Sequence, residues 1–318
     1  MNRAVKSVKR ALGRTLAKSS AYKQMKWSKQ ARAAGLSLNA SDLYFDLVRD
    51  GKVLRIRSGH AIYIPHMIES FDYYINSVVP VRDGERQIVD MSGPRYHRLI
   101  GYGDIPFLFP SQTEPYETTR EYLEFAGLKE GQTVLDIGAY SGVTSIIFAQ
   151  LVGPTGHVYA FEADETNYEC AKVNLEMAET VMGVRNVTLL KKAVWSHNDG
   201  LLFSTEGSMG SSAVEITGGG RGKEQKVETI TIEQFCLKRN IKRVDFIKLD
   251  IEGGELQVLK SSASVLRDLN ARLIIEPHWV EGKLVTEECC DILKSKGFAV
   301  HVRGETAGSE PLIEAVPV

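Results

Sequence analysis

From residue 115 onward, apolar strand patterns alternate with helical patterns. That alternation leaves few architectures open. Consecutive strands with a helix between them are joined by crossovers, so the sheet is parallel and the helices cover its faces. The strands read as Thr133–Ile137, His157–Phe161, Val187–Lys191, Phe246–Leu249 and Arg272–Ile275, with Ala299–Arg303 and Ile313–Val316 closing the chain. The helices read as Glu117–Ala126, Val143–Leu151, Thr166–Glu179, one opened by Gly254–Ser261, and Glu287–Lys296, which stops at Gly297 as a C-cap. Leu201–Ser204 and Lys226–Ile232 are expected to pair as a hairpin. The run Gly218–Gly222 lacks the strand-before, helix-after setting of a phosphate loop and reads as the tip of that hairpin.

The 318 residues are 43% hydrophobic and 25% charged with a net charge of −1, which are globular values. A near-neutral molecule lacks the field that gathers nucleic acid, so no nucleic-acid partner is expected. No apolar stretch reaches the ~20 residues of a membrane span, and none resembles the core of a secretory signal. Cys170, Cys236, Cys289 and Cys290 lack zinc spacing and read as reduced thiols of a cytoplasmic protein. The charge is spread unevenly. Residues 1–41 hold no Asp or Glu, but they hold Arg3, Lys6, Lys9, Arg10, Arg14, Lys18, Lys23, Lys26, Lys29 and Arg32. Val5, Val8, Leu12 and Leu16 recur at helical spacing, which predicts an amphipathic helix with a basic face. Three readings stay open: a solvated arm, a peripheral contact of residues 1–35 with an anionic membrane, and, in a eukaryote, an organelle-targeting peptide.

Residues 42–112 read as a small α+β extension. Val53–Arg57 and Ala61–Ile64 are expected strands, and Asp83-Gly84 is a turn between Val78–Val81 and Gln87–Val89. Gly101, Gly103, Pro106 and Pro110 then break regular structure. The expected division is therefore a basic arm (1–41), an extension that could cap an acceptor site (42–112) and a catalytic domain (113–318). Tyr63, His66, Tyr73, Tyr74, Tyr96, His97 and Tyr102 either complete the core of the extension or line a sugar pocket.

The chemistry concentrates at four places. The first is the turn Asp136-Ile137-Gly138-Ala139-Tyr140-Ser141-Gly142, between a buried strand and an apolar helix. Its glycines allow a ligand close to the backbone, beyond the carboxyl ends of the strands where open α/β sheets bind ligands. A pyrophosphate wants G-x-G-x-x-G; here an acid begins the turn, which suits a ligand with an ammonium group. The second is Glu162, 26 residues after Asp136 and at the tip of the second strand, where a carboxylate accepts hydrogen bonds from ribose hydroxyls. The third is Asp250-Ile251-Glu252-Gly253-Gly254-Glu255, where alternation puts Asp250 and Glu252 on one side at the end of the fourth strand. The fourth is Glu276-Pro277-His278 after the fifth strand, with a histidine able to take a hydroxyl proton near neutrality.

Together these motifs resemble the FkbM family of S-adenosylmethionine-dependent methyltransferases, over roughly Thr133 to Pro277. The resemblance rests on the D-I-G-A-x-x-G turn and on Ala160-Phe161-Glu162 with Asn167 and Asn174 downstream. It also rests on Lys192-Ala193-Val194 and, above all, on the string Phe246 to Glu255. The family usually has asparagine where Tyr140 stands and proline where Ala163 stands. The resemblance implies a Rossmann-like, seven-stranded methyltransferase sheet with an antiparallel last strand, and O-methylation, often of sugars. It implies S-adenosylmethionine held by Asp136, Gly138, Ala139, Tyr140 and Gly142 around the methionine end, Glu162 at the ribose, Lys192 and Ala193 near the adenine, and Asp250 and Glu252 facing the methyl group.

On this reading the protein is an S-adenosylmethionine-dependent O-methyltransferase acting on a sugar hydroxyl of a glycan, glycolipid or natural product. The candidate bases are His278, Asp250 and Glu252. Asp250 and Glu252 could instead hold a divalent metal, although nothing in the sequence specifically calls for one. The rivals are an NAD-dependent oxidoreductase, which would want a third glycine in the first turn, and a non-catalytic adenosine-binding protein.

Overall fold

The computed structural model describes residues 20–98, 105–112, 116–218, 222–304 and 311–318. The helical pattern at Val5 to Leu16, the breakers Gly101 and Gly103, Tyr102, and the middle of the glycine run after Gly218 lie outside the described residues. The chain divides into two compact units, 1–104 and 105–318.

In the first unit, five strands lie in the order Ser37–Ala40, Tyr44–Arg49, Lys52–Arg57, Arg86–Asp90, Val81–Asp83. The first three form an antiparallel meander, and Lys52–Arg57 runs parallel to Arg86–Asp90. A parallel pair needs a crossover, and the segment expected to be a strand at Ala61–Ile64 supplies part of it. It folds instead as a 3-10 turn, Ser58–Tyr63, leading into the helices Ile64–Glu69 and Phe71–Ser77. Pro65 starts the first of these helices, since its fixed φ suits a first turn. Leu47, Leu54, Ile56, Met67, Phe71 and Tyr74 close the core. Tyr73 and Tyr74 meet edge to face there, and His66 bonds to the Tyr74 hydroxyl, which is the core role for these rings.

The expected boundary at residues 41–42 does not appear. Ser37–Ala40 pairs with Tyr44–Arg49, and the helix Ser20–Ala33 buries Ala31 and rests Trp27 on Phe45. Residues from 20 on therefore belong to this unit rather than to a separate arm. The boundary near 112 also moves, because residues 105–112 belong to the second unit.

The second unit is a seven-stranded sheet. Its strands in chain order are β1 (Thr133–Ile137), β2 (His157–Phe161), β3 (Val187–Leu190), β4 (Phe246–Leu249), β5 (Arg272–Ile275), β6 (Phe298–Arg303) and β7 (Leu312–Pro317). They lie in the order β3-β2-β1-β4-β5-β7-β6. The first five are parallel, and β7 runs antiparallel to both neighbours. This is the expected Rossmann-like methyltransferase sheet. The helices are α1 (Tyr116–Ala126), α2 (Val143–Val152), α3 (Glu165–Met177), α4 (Ile232–Arg239), α5 (Glu255–Asp268) and α6 (Thr286–Ser295). β4 is buried along its whole length, as a strand covered on both faces must be.

Between β3 and β4, Leu201–Thr205 pairs antiparallel with Lys223–Val227. The second strand ends earlier than expected. Thr229-Ile230 pairs instead with Ala193-Val194, and Thr231 caps α4 through the Gln234 N–H. The β-branched run Thr229 to Ile232 disguised that helix start. All four cysteines are unbridged and buried. Among the described residues, no helix is long and apolar enough to cross a membrane.

Candidate active site

β1, β2 and β4 end side by side, and their following turns interlock. Gly138 and Ala139 donate their N–H groups to the Phe161 carbonyl at 3.0 and 2.9 Å, which splices the first turn to the end of β2. Gly138 has φ +85°, and a Cβ there would lie 1.7 Å from the Asp250 carbonyl oxygen. Only glycine lets the turns after β1 and β4 touch through their backbones. Tyr140 takes a left-handed φ of 49° and donates its N–H to Glu162 Oε2 at 2.8 Å and its hydroxyl to the Gln112 carbonyl at 2.5 Å. Gly142 begins α2 with no side chain to cap it, and a Cβ would press on Ala171 of α3 at 3.2 Å. An uncapped helix start of this kind suits a polar ligand.

Glu162 is buried, and each of its oxygens accepts one backbone N–H, from Tyr140 and from Asp164 (2.8 Å). A carboxylate oxygen can accept more than one bond, so both retain capacity for hydroxyl donors. Burial, reinforced by the Asp164 charge, pushes Glu162 up to about 8. Asp136 is wholly buried. Its Oδ2 accepts the Ser145 hydroxyl, and its Oδ1 has no hydrogen-bond partner among the described residues. Burial raises its pKa against the opposing charge of Lys248.

Lys248 escaped sequence reasoning. It is buried in the middle of β4, directly opposite Asp136 in the ladder. Its ammonium donates to the Gly138 carbonyl at 2.7 Å and lies 3.2 Å from Asp250 and 3.6 Å from Asp136. One cation thus ties the first turn to the acids on either side of it. The signal was available: a lysine within Phe-Ile-Lys-Leu is costly to bury without a carboxylate partner.

After β4, Glu252 adopts φ +55°, and after β5 His278 faces the same acids. His278 Nε2 lies 3.7 Å from both Asp250 and Glu252, and its Nδ1 lies 3.0 Å from Glu255. Glu255, at the first position of α5, also receives the N–H groups of Ile251 and Gly253. Burial alone would disfavour the imidazolium. The carboxylates of Glu252, Glu255 and Asp250 outweigh it and hold His278 well above its usual pKa. The ring therefore holds its proton more tightly than a free imidazole does.

Asp136, Gly138, Ala139, Tyr140, Gly142, Glu162, Asp250, Glu252 and His278 thus gather at the carboxyl ends of β1, β2, β4 and β5, linked through Glu162, Lys248 and His278. Glu276, by contrast, accepts the Tyr122 hydroxyl. Lys192 pairs with Glu228 on the surface, while Ala193 packs in the apolar group of Ala163, Trp195 and Ile251 beside the Glu162 turn. Asn174 donates to the carbonyls of Leu108 and Ser141, both at 2.8 Å, and so fastens residues 105–112 to the rim. Gln112 is a second residue that sequence reasoning missed. Among the described residues, its Nε2 and the Ser141 hydroxyl are buried polar atoms without hydrogen-bond partners, and Asp136 Oδ1 faces the Lys248 ammonium at 3.6 Å without a hydrogen bond. Such atoms are rare unless a ligand or water completes them. An amide donor and an acid at one end and a ribose-accepting carboxylate at the other match an amino-acid-bearing nucleoside. Among the described residues, no group of three or more His, Cys, Asp or Glu could hold a metal ion.

The crevice lies within a recognised sequence family. Residues 136–300 match the methyltransferase FkbM domain. The protein-L-isoaspartate O-methyltransferase of Methanosarcina mazei is 38% identical over 100 residues, covering 30% of this chain and 39% of that protein. Its counterpart in Methanothrix thermoacetophila is 41% identical over 127 residues, covering 39% of this chain and 58% of that protein. The chain therefore spans less than two thirds of the length of either relative. The crystal structure of a methyltransferase FkbM from Methylobacillus flagellatus superposes with a TM-score of 0.42 at 14% identity, covering 62% of this chain and 50% of that one.

Proposed function

Because the chain belongs to the FkbM methyltransferase family, we propose that it binds S-adenosylmethionine in the crevice after β1 and transfers the methyl group to an uncharged hydroxyl, most naturally that of a sugar. The observation that carries the acceptor class is the charge at the reacting end. Asp250, Glu252 and Glu255 surround His278, and Lys248 answers Asp250 alone of the three. An acceptor carboxylate, of the kind named for the isoaspartate relatives, would meet like charge there. A neutral polyol would meet hydrogen-bond acceptors and one donor.

The cofactor fits the residues present. The orphaned Gln112 amide and Ser141 hydroxyl suit its carboxylate, Asp136 suits its ammonium, and Glu162 suits its ribose. Ala163 and Ala193 offer an apolar wall for the adenine. When bound, S-adenosylmethionine supplies an already activated sulfonium methyl. The protein's remaining task is to align the acceptor oxygen and accept its proton.

Asp250 and Glu252 are the proton acceptors in this reading. His278 is bonded through Nδ1 to Glu255 and turns Nε2 toward both acids at 3.7 Å, so the proton is shared within one coupled cluster. Lys248 holds Asp250 in place from below the turn.

The test is methyl transfer from S-adenosylmethionine to neutral glycans, glycolipids and an isoaspartyl peptide, by wild type and by the His278→Ala and Asp250→Asn variants. Turnover on neutral hydroxyl acceptors, reduced about a hundredfold or more in both variants, is expected from the loss of a positioned base in Asp250→Asn and of the group that positions it in His278→Ala. Near-wild-type turnover in both would discard the role assignment, and preference for the peptide would discard the acceptor class. Titration calorimetry with S-adenosylmethionine and with NAD separates the methyltransferase from the oxidoreductase reading. Binding of S-adenosylmethionine with no transfer to any acceptor would leave the non-catalytic rival.

A further inference from the structure

In the first unit, three arginines are paired with carboxylates: Arg49 with Asp72, Arg55 with Asp46, and Arg95 with Asp90. The helix Ser20–Ala33 breaks that pattern. It carries Lys23, Lys26, Lys29 and Arg32 and no acid. All four are exposed, and among the described residues none has a carboxylate at ion-pair distance. Arg32 returns one N–H to the Ser28 carbonyl of its own helix. On a helical projection, Trp27 and Ala31 mark the side turned to the core, where Trp27 meets Phe45. The opposite side presents Met25, Lys29 and Arg32, with Lys26 at its edge and Lys23 nearer the side turned to the core. Met25 is 61% exposed in the midst of these cations.

We propose that this helix face is a docking surface for an anionic lipid bilayer. Charge complementarity selects the occupant. Four unmatched cations sit on a chain whose net charge is −1, so its excess of acid lies wholly after residue 41, and the attraction is local to this face. Extended nucleic acid would also meet that acidic remainder, whereas a flat bilayer touches one face. An apolar side chain ringed by lysines and arginines matches the boundary between headgroups and acyl chains. The six further cations and absent acids of residues 1–19 continue the same bias in sequence.

The experiment is sedimentation of the full chain with neutral phosphatidylcholine vesicles and with vesicles containing 30% phosphatidylglycerol (about physiological anionic content), at low and high salt. A lysine or arginine near an anionic surface strengthens binding about fivefold (~1 kcal/mol). The Lys26→Gln/Lys29→Gln protein should therefore bind the anionic vesicles about 25-fold more weakly, with unchanged circular dichroism and unchanged S-adenosylmethionine binding. Wild-type binding should vanish on neutral vesicles and fall steeply with salt. Equal binding to both vesicles, no binding to the anionic ones, or an unaffected double variant overturns the proposal. So does capture of a single-stranded oligonucleotide in preference to anionic vesicles. None of these readings depends on methyl transfer, so the two proposals can fail separately.

Discussion

A methyl group added at Gly138 has nowhere to go, because the Asp250 carbonyl occupies its place. Gly138→Ala should therefore cost more than about 3 kcal/mol in urea unfolding, combining a backbone clash with a strained φ. Gly183 is the control: its φ is also positive, at 72°, but its surroundings are open. Gly183→Ala should cost only the ~1–2 kcal/mol of a left-handed alanine. Lys248→Met should cost about 3–5 kcal/mol in the same assay, since it strands two carboxylates around a buried gap. His278 gives a pH signature. Its folded pKa is raised above the unfolded value of 6.5, so its stabilisation is complete below that value and is lost as pH climbs through the raised one. The melting temperature should fall across that alkaline window, and His278→Gln should flatten the fall. At this scale the sequence showed the acids plainly, because turns after strands gather ligand residues. It hid Gln112, which lies in a segment interrupted by Pro106 and Pro110 and meets the first turn through the Tyr140 hydroxyl.

Among elements, the loop 206–212 is fastened to the start of α3. Asp164 caps α3 with one oxygen, through Thr166 and Asn167, and with the other holds Gly207 N at 3.1 Å and Ser211 Oγ at 2.7 Å. Ser212 then donates to the Glu252 carbonyl at 2.6 Å. The loop consequently runs from the end of β2 to the turn after β4. Asp164→Ala should cost about 1 kcal/mol for the lost cap. It should also speed amide exchange at Gly207 without affecting the β1 amides, as read by hydrogen–deuterium exchange. No sequence pattern announced this loop, because the bonds that anchor it join residues forty or more positions apart. The central strands, in contrast, matched almost to the residue at β1, β2, β4 and β5: a buried parallel strand is an uninterrupted apolar run with sharp polar ends. The misread segments were those where β-branched residues begin helices, at Ala61–Ile64 and at Thr231.

On the scale of the whole molecule, each unit has its own buried core. Residues 105–318 expressed alone should unfold in one cooperative transition and bind S-adenosylmethionine, monitored by calorimetry. Loss of both would mean that the second unit is not an independent folding domain. The halves were unequally legible. A methyltransferase sheet repeats one strand–helix rhythm, whereas the first unit mixes a meander with one parallel pair, and its short strands Ser37–Ala40 and Tyr44–Arg49 carry no pattern that separates them from loop.

The placement of β7 between β5 and β6 bears on how the chain is made. Two strands that end up flanking it leave the ribosome earlier, and neither can be joined to the other until it arrives. At about 5–20 residues per second, the open side of β5 waits while the forty-odd residues through the end of β7 are made. During synthesis, that half of the sheet is the place where a chaperone, or a wrong strand, would find a vacancy.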